Sequence, residues 1–254
     1  MPGTDRHGAG QRPGETLLTA TAYGRTVGLR VPDADLEAVF PRLPHWWDET
    51  APAVAAPEQT WSLQPGLAPE AVIGELELWV AEHADGLVFV HAGVVAVDGR
   101  ALLLPGRSFT GKSTLTRELL RCGADYGSDE YAVLSPDGTV QAYPRPLALR
   151  GETQRRVAAT DLGAATFTGA LPVAAVAALR YVPGGPLDIA PMTPATAVLR
   201  LFDNTVCASS RPELSFETLV ALGRGIVAVE GVRDEAADVV PALMTLLRAR
   251  HHSM

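Results

Sequence analysis

Lysine is almost missing from this chain. Of its 21 basic residues only Lys112 is lysine, and all the others are arginine. Cysteine occurs twice, at Cys122 and Cys207. Two cysteines this far apart in sequence exclude a disulfide framework and a zinc-site spacing pattern. Asparagine occurs once, at Asn204, in Phe202-Asp203-Asn204-Thr205 after a predicted helix, a setting for turn or cap chemistry. Long hydrophobic runs are absent too. The most apolar one, Val173–Leu179, is too short and too rich in alanine to span a bilayer. Residues Met1–Glu15 lack an apolar stretch of the signal-peptide kind, so a cytoplasmic location is expected. Positive charge is in deficit: the net charge is −8 and the arginines are scattered, which argues against nucleic acid and against an anionic membrane surface as partners. No internal repeat is visible.

What is present suffices for a substantial core, with 47% hydrophobic residues in 254. Residues 1–15 are polar, aperiodic and rich in glycine, proline and arginine, and are expected to form a disordered tail. The rest, 16–254, is expected to be a single α/β domain, with an N-terminal strand, helix and loop part at 16–69 and the core with its C-terminal helices at 70–254. Strands are expected at Thr16–Tyr23 and Thr26–Val31 around Gly24-Arg25, at Thr60–Leu63, and at Leu87–Val97 and Arg100–Leu104 around the hairpin dipeptide Asp98-Gly99. A short helix is predicted over Ala34–Phe40, stopped by Pro41, and a longer one over Glu70–His83, where Val72, Ile73, Leu76, Trp79 and Val80 recur with a helical period. His45-Trp46-Trp47 is read as a loop whose aromatics tuck over the core edge, with substrate stacking as the alternative. Towards the C-terminus the pattern gives strands at Pro172–Tyr181 and Leu187–Ala190 flanking Gly184-Gly185, helices at Pro194–Phe202 and Glu213–Arg224, a strand at Ile226–Val229, and a helix over Asp234–Arg248.

The lone lysine stands in Gly106-Arg107-Ser108-Phe109-Thr110-Gly111-Lys112-Ser113-Thr114. This fits G-x-x-x-x-G-K-[ST], the loop whose backbone N–H groups wrap nucleotide phosphates. The apolar run Ala101–Leu104 precedes it, and Thr114–Cys122 after it reads as a helix with Leu115, Leu119 and Cys122 on one face and Gly123 as the stop. Strand, glycine loop and helix are the context the motif requires, because loop amides and a helix N-terminus then converge on an anion. A compact ammonium suits that loop better than a planar guanidinium. A chain that otherwise uses arginine keeps lysine where β- and γ-phosphates would lie.

Ala124–Leu134 reads as one strand carrying Asp129-Glu130, followed by the turn Ser135–Gly138 and a return strand Thr139–Tyr143. Side chains alternate along a strand, so only one of the two carboxylates is expected to face a given site. Asp129 follows Ser113 by one helix and one strand, which brings it beside the loop, where it could hold Mg²⁺ directly or through water. A solvated edge pair is the plain alternative. His91 lies inside an apolar stretch, where a lone histidine is more often a hydrogen-bonded core residue. Arg145 and Arg150, in a proline-punctuated segment, could stabilise transferred charge or be surface arginines.

Residues 91–150 resemble HPr kinase/phosphorylase, and more closely its HPr-kinase-related relatives. The resemblance is carried by VFVHAGVVAV, LLLPGRSFTGKSTLTREL, GADYGSDEYAVL and YPRPLALR. It implies a P-loop kinase of the phosphoenolpyruvate-carboxykinase-like type, with a mixed, partly antiparallel sheet flanked by helices. It implies ATP and Mg²⁺ as cofactors, Gly106–Thr114 as the nucleotide-binding loop, and Lys112 and Ser113 in the phosphate and metal roles. Asp129 and Glu130 match the family's acidic pair, one for metal and one as general base, and His91 matches its strand histidine. Three departures are plain, the first being Phe109 in the loop where relatives often have glycine. HPr kinase proper has two aspartates where this chain has Asp129-Glu130, and its second signature, a glutamate followed by an arginine-glycine pair, is absent: Leu149-Arg150-Gly151-Glu152 reverses that order. Neither HPr as acceptor nor phosphorylase activity is therefore implied. The expected function is γ-phosphoryl transfer from ATP to a hydroxyl, of serine or threonine in a protein or peptide. A small-molecule kinase and a non-catalytic nucleotide-binding regulator are the alternatives, and homo-oligomerisation is left open.

Overall fold

The structure, a computed structural model, describes residues 13–47, 56–64, 68–106, 110–149 and 155–248. The chain divides into two compact units, Met1–Asp85 and Gly86–Met254. The division falls after the helix at 69–83, which the sequence reading groups with the core.

In the first unit β1 (Glu15–Ala22) and β2 (Arg25–Pro32) pair antiparallel. Their turn is Tyr23-Gly24, with φ of 51° and 80°, one residue earlier than the expected Gly24-Arg25. Positive φ at both central residues gives the turn the twist that flanking strands need. Two 3₁₀ turns, Asp33–Asp35 and Phe40–Arg42, enclose the four-residue α1 (Leu36–Val39). β3 (Gln59–Ser62) joins β2 in parallel. α2 (Pro69–His83) starts on proline, whose missing N–H costs nothing at a first helical position, and buries Ile73, Leu76 and Val80. These meet Val27, Leu29, Val31 and Trp47 in one core cluster. Trp47 is buried and stacks on Trp46 with ring centroids 5.7 Å apart, so the tryptophan pair anchors this core. Of the expected disordered tail, residues 1–12 lie outside the described residues, and Glu15 already belongs to β1.

The second unit runs through β4 (Val88–Val97), β5 (Arg100–Pro105), α3 (Lys112–Arg121), β6 (Asp125–Ser128), β7 (Tyr131–Leu134), β8 (Thr139–Gln141), β9 (Leu147–Leu149), β10 (Arg155–Val157), β11 (Ala170–Tyr181), β12 (Asp188–Pro191), α4 (Pro194–Phe202), α5 (Pro212–Gly223), β13 (Val227–Arg233) and α6 (Ala236–Arg248). Among the described residues the main sheet has the order β12-β13-β11-β5-β4-β7-β8, with β6 also on β4. It is mixed: β11 pairs parallel with β5 and β13, while the β4–β5, β4–β7, β7–β8 and β12–β13 pairs are antiparallel. The first residues of β11 also pair antiparallel with β8, so the path through β5, β4, β7 and β8 starts and ends on one strand.

Period-two alternation in β4 divides the interior. Val88, Val90, Ala92, Val94 and Ala96 join a cluster that includes Val198 and Leu201 of α4 and Leu219 and Leu222 of α5. Val95 and Val97 join another, with Leu115, Leu119 and Leu120 of α3 and Val239, Leu243 and Leu247 of α6. The expected α3 face needs one correction. Cys122 is exposed, because the helix ends at Arg121 and Cys122 has left helical geometry at φ −91°, ψ 13°. Leu120 supplies the burial instead. Among the described residues no helix is long and apolar enough to cross a membrane.

Candidate functional site

The hairpin β4–β5 delivers the glycine loop to the end of the sheet. Gly106 N–H donates to the His91 carbonyl at 3.2 Å, tying the loop's first residue to β4. At the other end of the loop Gly111 adopts φ 83°, a left-handed conformation open to glycine at little cost, and α3 begins at the next residue. The Lys112 ammonium donates to the Gly106 carbonyl, spanning the loop from its last residues to its first. Arg107, Ser108 and Phe109 lie outside the described residues, as does Arg150. Thr110, Gly111, Ser113 and Thr114 stand at the start of α3, whose N-terminal end carries partial positive charge.

The segment expected to be one strand is two. β6 and β7 both pair with β4, and the chain bends between them at Asp129-Glu130. The fully buried Ser128 makes the bend: its Oγ accepts from the amides of Glu130 and Tyr131, each at 3.0 Å. Gly127 has no room for a side chain, since a Cβ there would come within 2.5 Å of the Phe167 ring and 2.8 Å of Val94. The alternation rule for strands therefore does not apply to the acidic pair, and both carboxylates belong to one bend beside the loop.

Their environments differ. Asp129 is partly buried, and the lost hydration pushes its pKa up to about 6. Hydrogen bonds from the Ser113 hydroxyl and the Ala148 amide, and the charge of Lys112, work in the opposite direction. One oxygen, Oδ1, is buried with no hydrogen-bond partner. Glu130 is half exposed, and its Oε1 lies 3.7 Å from Nδ1 of His91, longer than a hydrogen bond and an ion pair only when the imidazole is protonated. The register that sets His91 opposite Tyr131 produces this approach, and the Glu130 carbonyl accepts from the Ala92 amide at 3.2 Å. Burial lowers the His91 pKa below its ordinary value, and Lys112 pushes the same way against Glu130. Burial thus favours the neutral imidazole, which leans on the Tyr131 ring at 4.8 Å between centroids.

Sequence reading missed three contributors. β9, read as an irregular segment, supplies the Ala148 amide to Asp129 and pairs with β10. Tyr126 donates its hydroxyl to the Arg145 carbonyl at 2.7 Å, holding the segment before β9. The third is Arg233, whose Nη2 donates to the Gly111 carbonyl at 2.8 Å across 122 residues of chain. No local pattern marks these partners. Asn204, by contrast, plays the expected turn role, donating from Nδ2 to the Arg200 carbonyl at 2.8 Å.

The donor set suits Mg²⁺. Among the described residues no three His, Cys, Asp or Glu side chains gather to enclose a metal. Mg²⁺ does not need such an enclosure, as it habitually takes one or two protein oxygens and completes its shell with phosphate and water. Ser113 Oγ and the unpartnered Asp129 oxygen fit that habit.

No family model and no curated protein matches the chain. Among solved structures it is similar to the HPr(Ser) kinase/phosphatase from Coxiella burnetii, at 16% identity and a TM-score of 0.34, over 63% of this chain and 93% of that one. A similarity of that extent assigns no activity.

Proposed function

We propose that this chain is an ATP- and Mg²⁺-dependent kinase of the phosphoenolpyruvate-carboxykinase-like P-loop type. It transfers the γ-phosphoryl group to a hydroxyl, of serine or threonine in a protein or peptide. One observation carries the reading: a half-buried carboxylate beside Ser113 and a solvent-facing carboxylate follow each other in a single bend next to Lys112 and the N-terminus of α3. The motif resemblance to HPr kinase points the same way.

Phosphoryl transfer asks a protein mainly for positioning and charge stabilisation. The loop amides and Lys112 bind and orient the β- and γ-phosphates. Ser113 and Asp129 would hold Mg²⁺, which when bound neutralises charge on the phosphate oxygens. Glu130, facing solvent, is placed to take the proton of an incoming acceptor hydroxyl, with neutral His91 beside it to orient the carboxylate. A purely nucleotide-binding protein would have no use for that second carboxylate.

Calorimetric titration of the protein with ATP in the presence of Mg²⁺, with Lys112→Ala as comparison, tests the binding half. Binding by the wild type and a loss of about a hundredfold or more in Lys112→Ala is expected, on the scale of a desolvated charge–phosphate contact, with the ligand-free melting temperature unchanged. Equal affinity in the two proteins would defeat the phosphate-loop reading. Labelled ATP with cell extract then tests transfer, and binding without any labelled product would make the protein a nucleotide-dependent regulator.

A further inference from the structure

Arg233 ends β13 beneath the glycine loop and is only 2% exposed. Nη2 donates to the Gly111 carbonyl and Nη1 to the Asp234 carbonyl, both at 2.8 Å, and the guanidinium lies 5.6 Å from the Tyr181 ring centroid. Nε is buried without a hydrogen-bond partner. Among the described residues no carboxylate oxygen comes within ion-pair distance of it. The exposed Glu235 and half-buried Asp234 act on it only through space, and burial pulls its pKa below the ordinary arginine value. A guanidinium held by neutral carbonyls is an expensive thing to bury, since its hydration is lost and no opposite charge replaces it.

Its place suggests what replaces the missing counter-charge. The Gly111 carbonyl also accepts from the Leu115 amide at 3.1 Å, so Arg233 grips the first turn of α3 at its first carbonyl. The peptide unit Gly111–Lys112 is planar and trans, so a carbonyl drawn towards Arg233 sends the Lys112 N–H the opposite way. At the first residue of α3 that way is out of the helix's N-terminal end. The approach is possible only because residue 111 is glycine: a Cβ there would sit 2.6 Å from Nη2.

Resting on the phosphate-loop reading above, we propose that Arg233 is a positioning residue for polyphosphate. It fixes the Gly111–Lys112 peptide so that its N–H faces the phosphates, and its buried positive charge is balanced by the bound anion. No contact between Arg233 and the nucleotide is required. The charge acts through a low-dielectric layer one peptide thick, where it is screened far less than a surface arginine.

The test uses the full chain, with pyrophosphate and Mg-ATP as probes, and compares wild type with Arg233→Met and Arg233→Lys. Arg233→Met is expected to bind pyrophosphate at least about tenfold more weakly, the scale of one lost charge-assisted contact. Without ligand it should melt no lower than the wild type, because an unpaired buried charge has been removed. Arg233→Lys, which keeps the charge and one donor, should recover part of the affinity. A merely structural arginine would give the reverse: a lower melting temperature in Arg233→Met and an unchanged dissociation constant. That result, or equal affinity in a well-folded Arg233→Met, overturns the assignment of Arg233 alone. A wild type that binds neither probe overturns the phosphate-loop reading with it. Should Arg233→Met fail to fold, Arg233→Gln takes its place, a polar side chain without the charge and too short to reach the Gly111 carbonyl. The same tenfold loss is then expected, and wild-type affinity overturns the proposal.

Discussion

At Asp129 burial and hydrogen bonding pull in opposite directions, and burial wins, leaving a pKa of about 6. A carboxyl that binds its proton more tightly in the folded state than in the unfolded one makes the fold lose stability as pH rises from about 4 through 6. The ionised form needed for a metal is therefore the strained form. Two consequences follow at this residue. Mg²⁺-dependent ATP affinity should weaken about tenfold between pH 7.5 and pH 5, because the proton competes with the metal for one carboxylate. Asp129→Asn should abolish that component and, without ligand at pH 7.5, should melt higher than the wild type, the gain shrinking towards pH 5. Glu130→Gln should leave Mg-ATP affinity and its pH dependence intact and lower turnover by roughly 10²- to 10⁴-fold, the usual range for a general base. Titration calorimetry at the two pH values, with turnover measured on the folded protein, distinguishes the pair. Equal and mild effects from both substitutions would leave neither carboxylate a role in metal binding or transfer. Both residues were legible as candidates from their type and their spacing after Ser113. Their different environments were not, because burial is a property of what packs around a residue.

Among the elements, the bend between β6 and β7 does the most for the site. Tyr131-Ala132-Val133-Leu134 favours a strand, as does Tyr126, and local propensity runs the two segments together. The Ser128 side chain, capturing two amides, and the crowding of Gly127 against Phe167 and Val94 break them apart. Ser128→Ala would leave the Glu130 and Tyr131 amides without an acceptor, at a cost of about 1–3 kcal/mol for each that stays buried. A drop in melting temperature is expected together with weaker Mg-ATP binding, since both carboxylates ride on the bend. Unchanged affinity with a full loss of stability would mean that pairing to β4 alone positions them. Other elements read almost directly from sequence. α4 spans Pro194–Phe202 as its period and its proline start indicate, with Thr193 Oγ1 capping the Thr196 amide at 3.1 Å. Asp98-Gly99 forms the expected tight turn, with φ of 51° and 71°. In each of these the deciding interactions lie within a few residues of one another.

Across the whole molecule, all described residues of the candidate site lie in the unit Gly86–Met254, which holds two hydrophobic clusters of its own. A chain of residues 86–254 is therefore expected to fold and to bind Mg-ATP within about tenfold of the full protein's affinity, an allowance of roughly 1.4 kcal/mol. Circular dichroism and calorimetry on the shortened chain check this, and a folded but non-binding product would show that the site needs residues 1–85. The glycine loop, its lone lysine, the acidic pair, the hairpin that feeds the loop and most helix limits were legible in the order of the residues alone. Those features depend on side-chain type, turn chemistry and periodicity over stretches of a dozen residues, and such forces act the same way wherever the segment ends up. Packing placed β13 between β11 and β12, although Leu187–Ala190 follows Gly184-Gly185 so closely, and paired β11 with both β5 and β8. It alone set Ala148 on Asp129 and Arg233 beneath Gly111. Strand pairing and burial are settled by competition among all apolar surfaces at once, so the partner of an arginine 122 residues away is written in no local pattern.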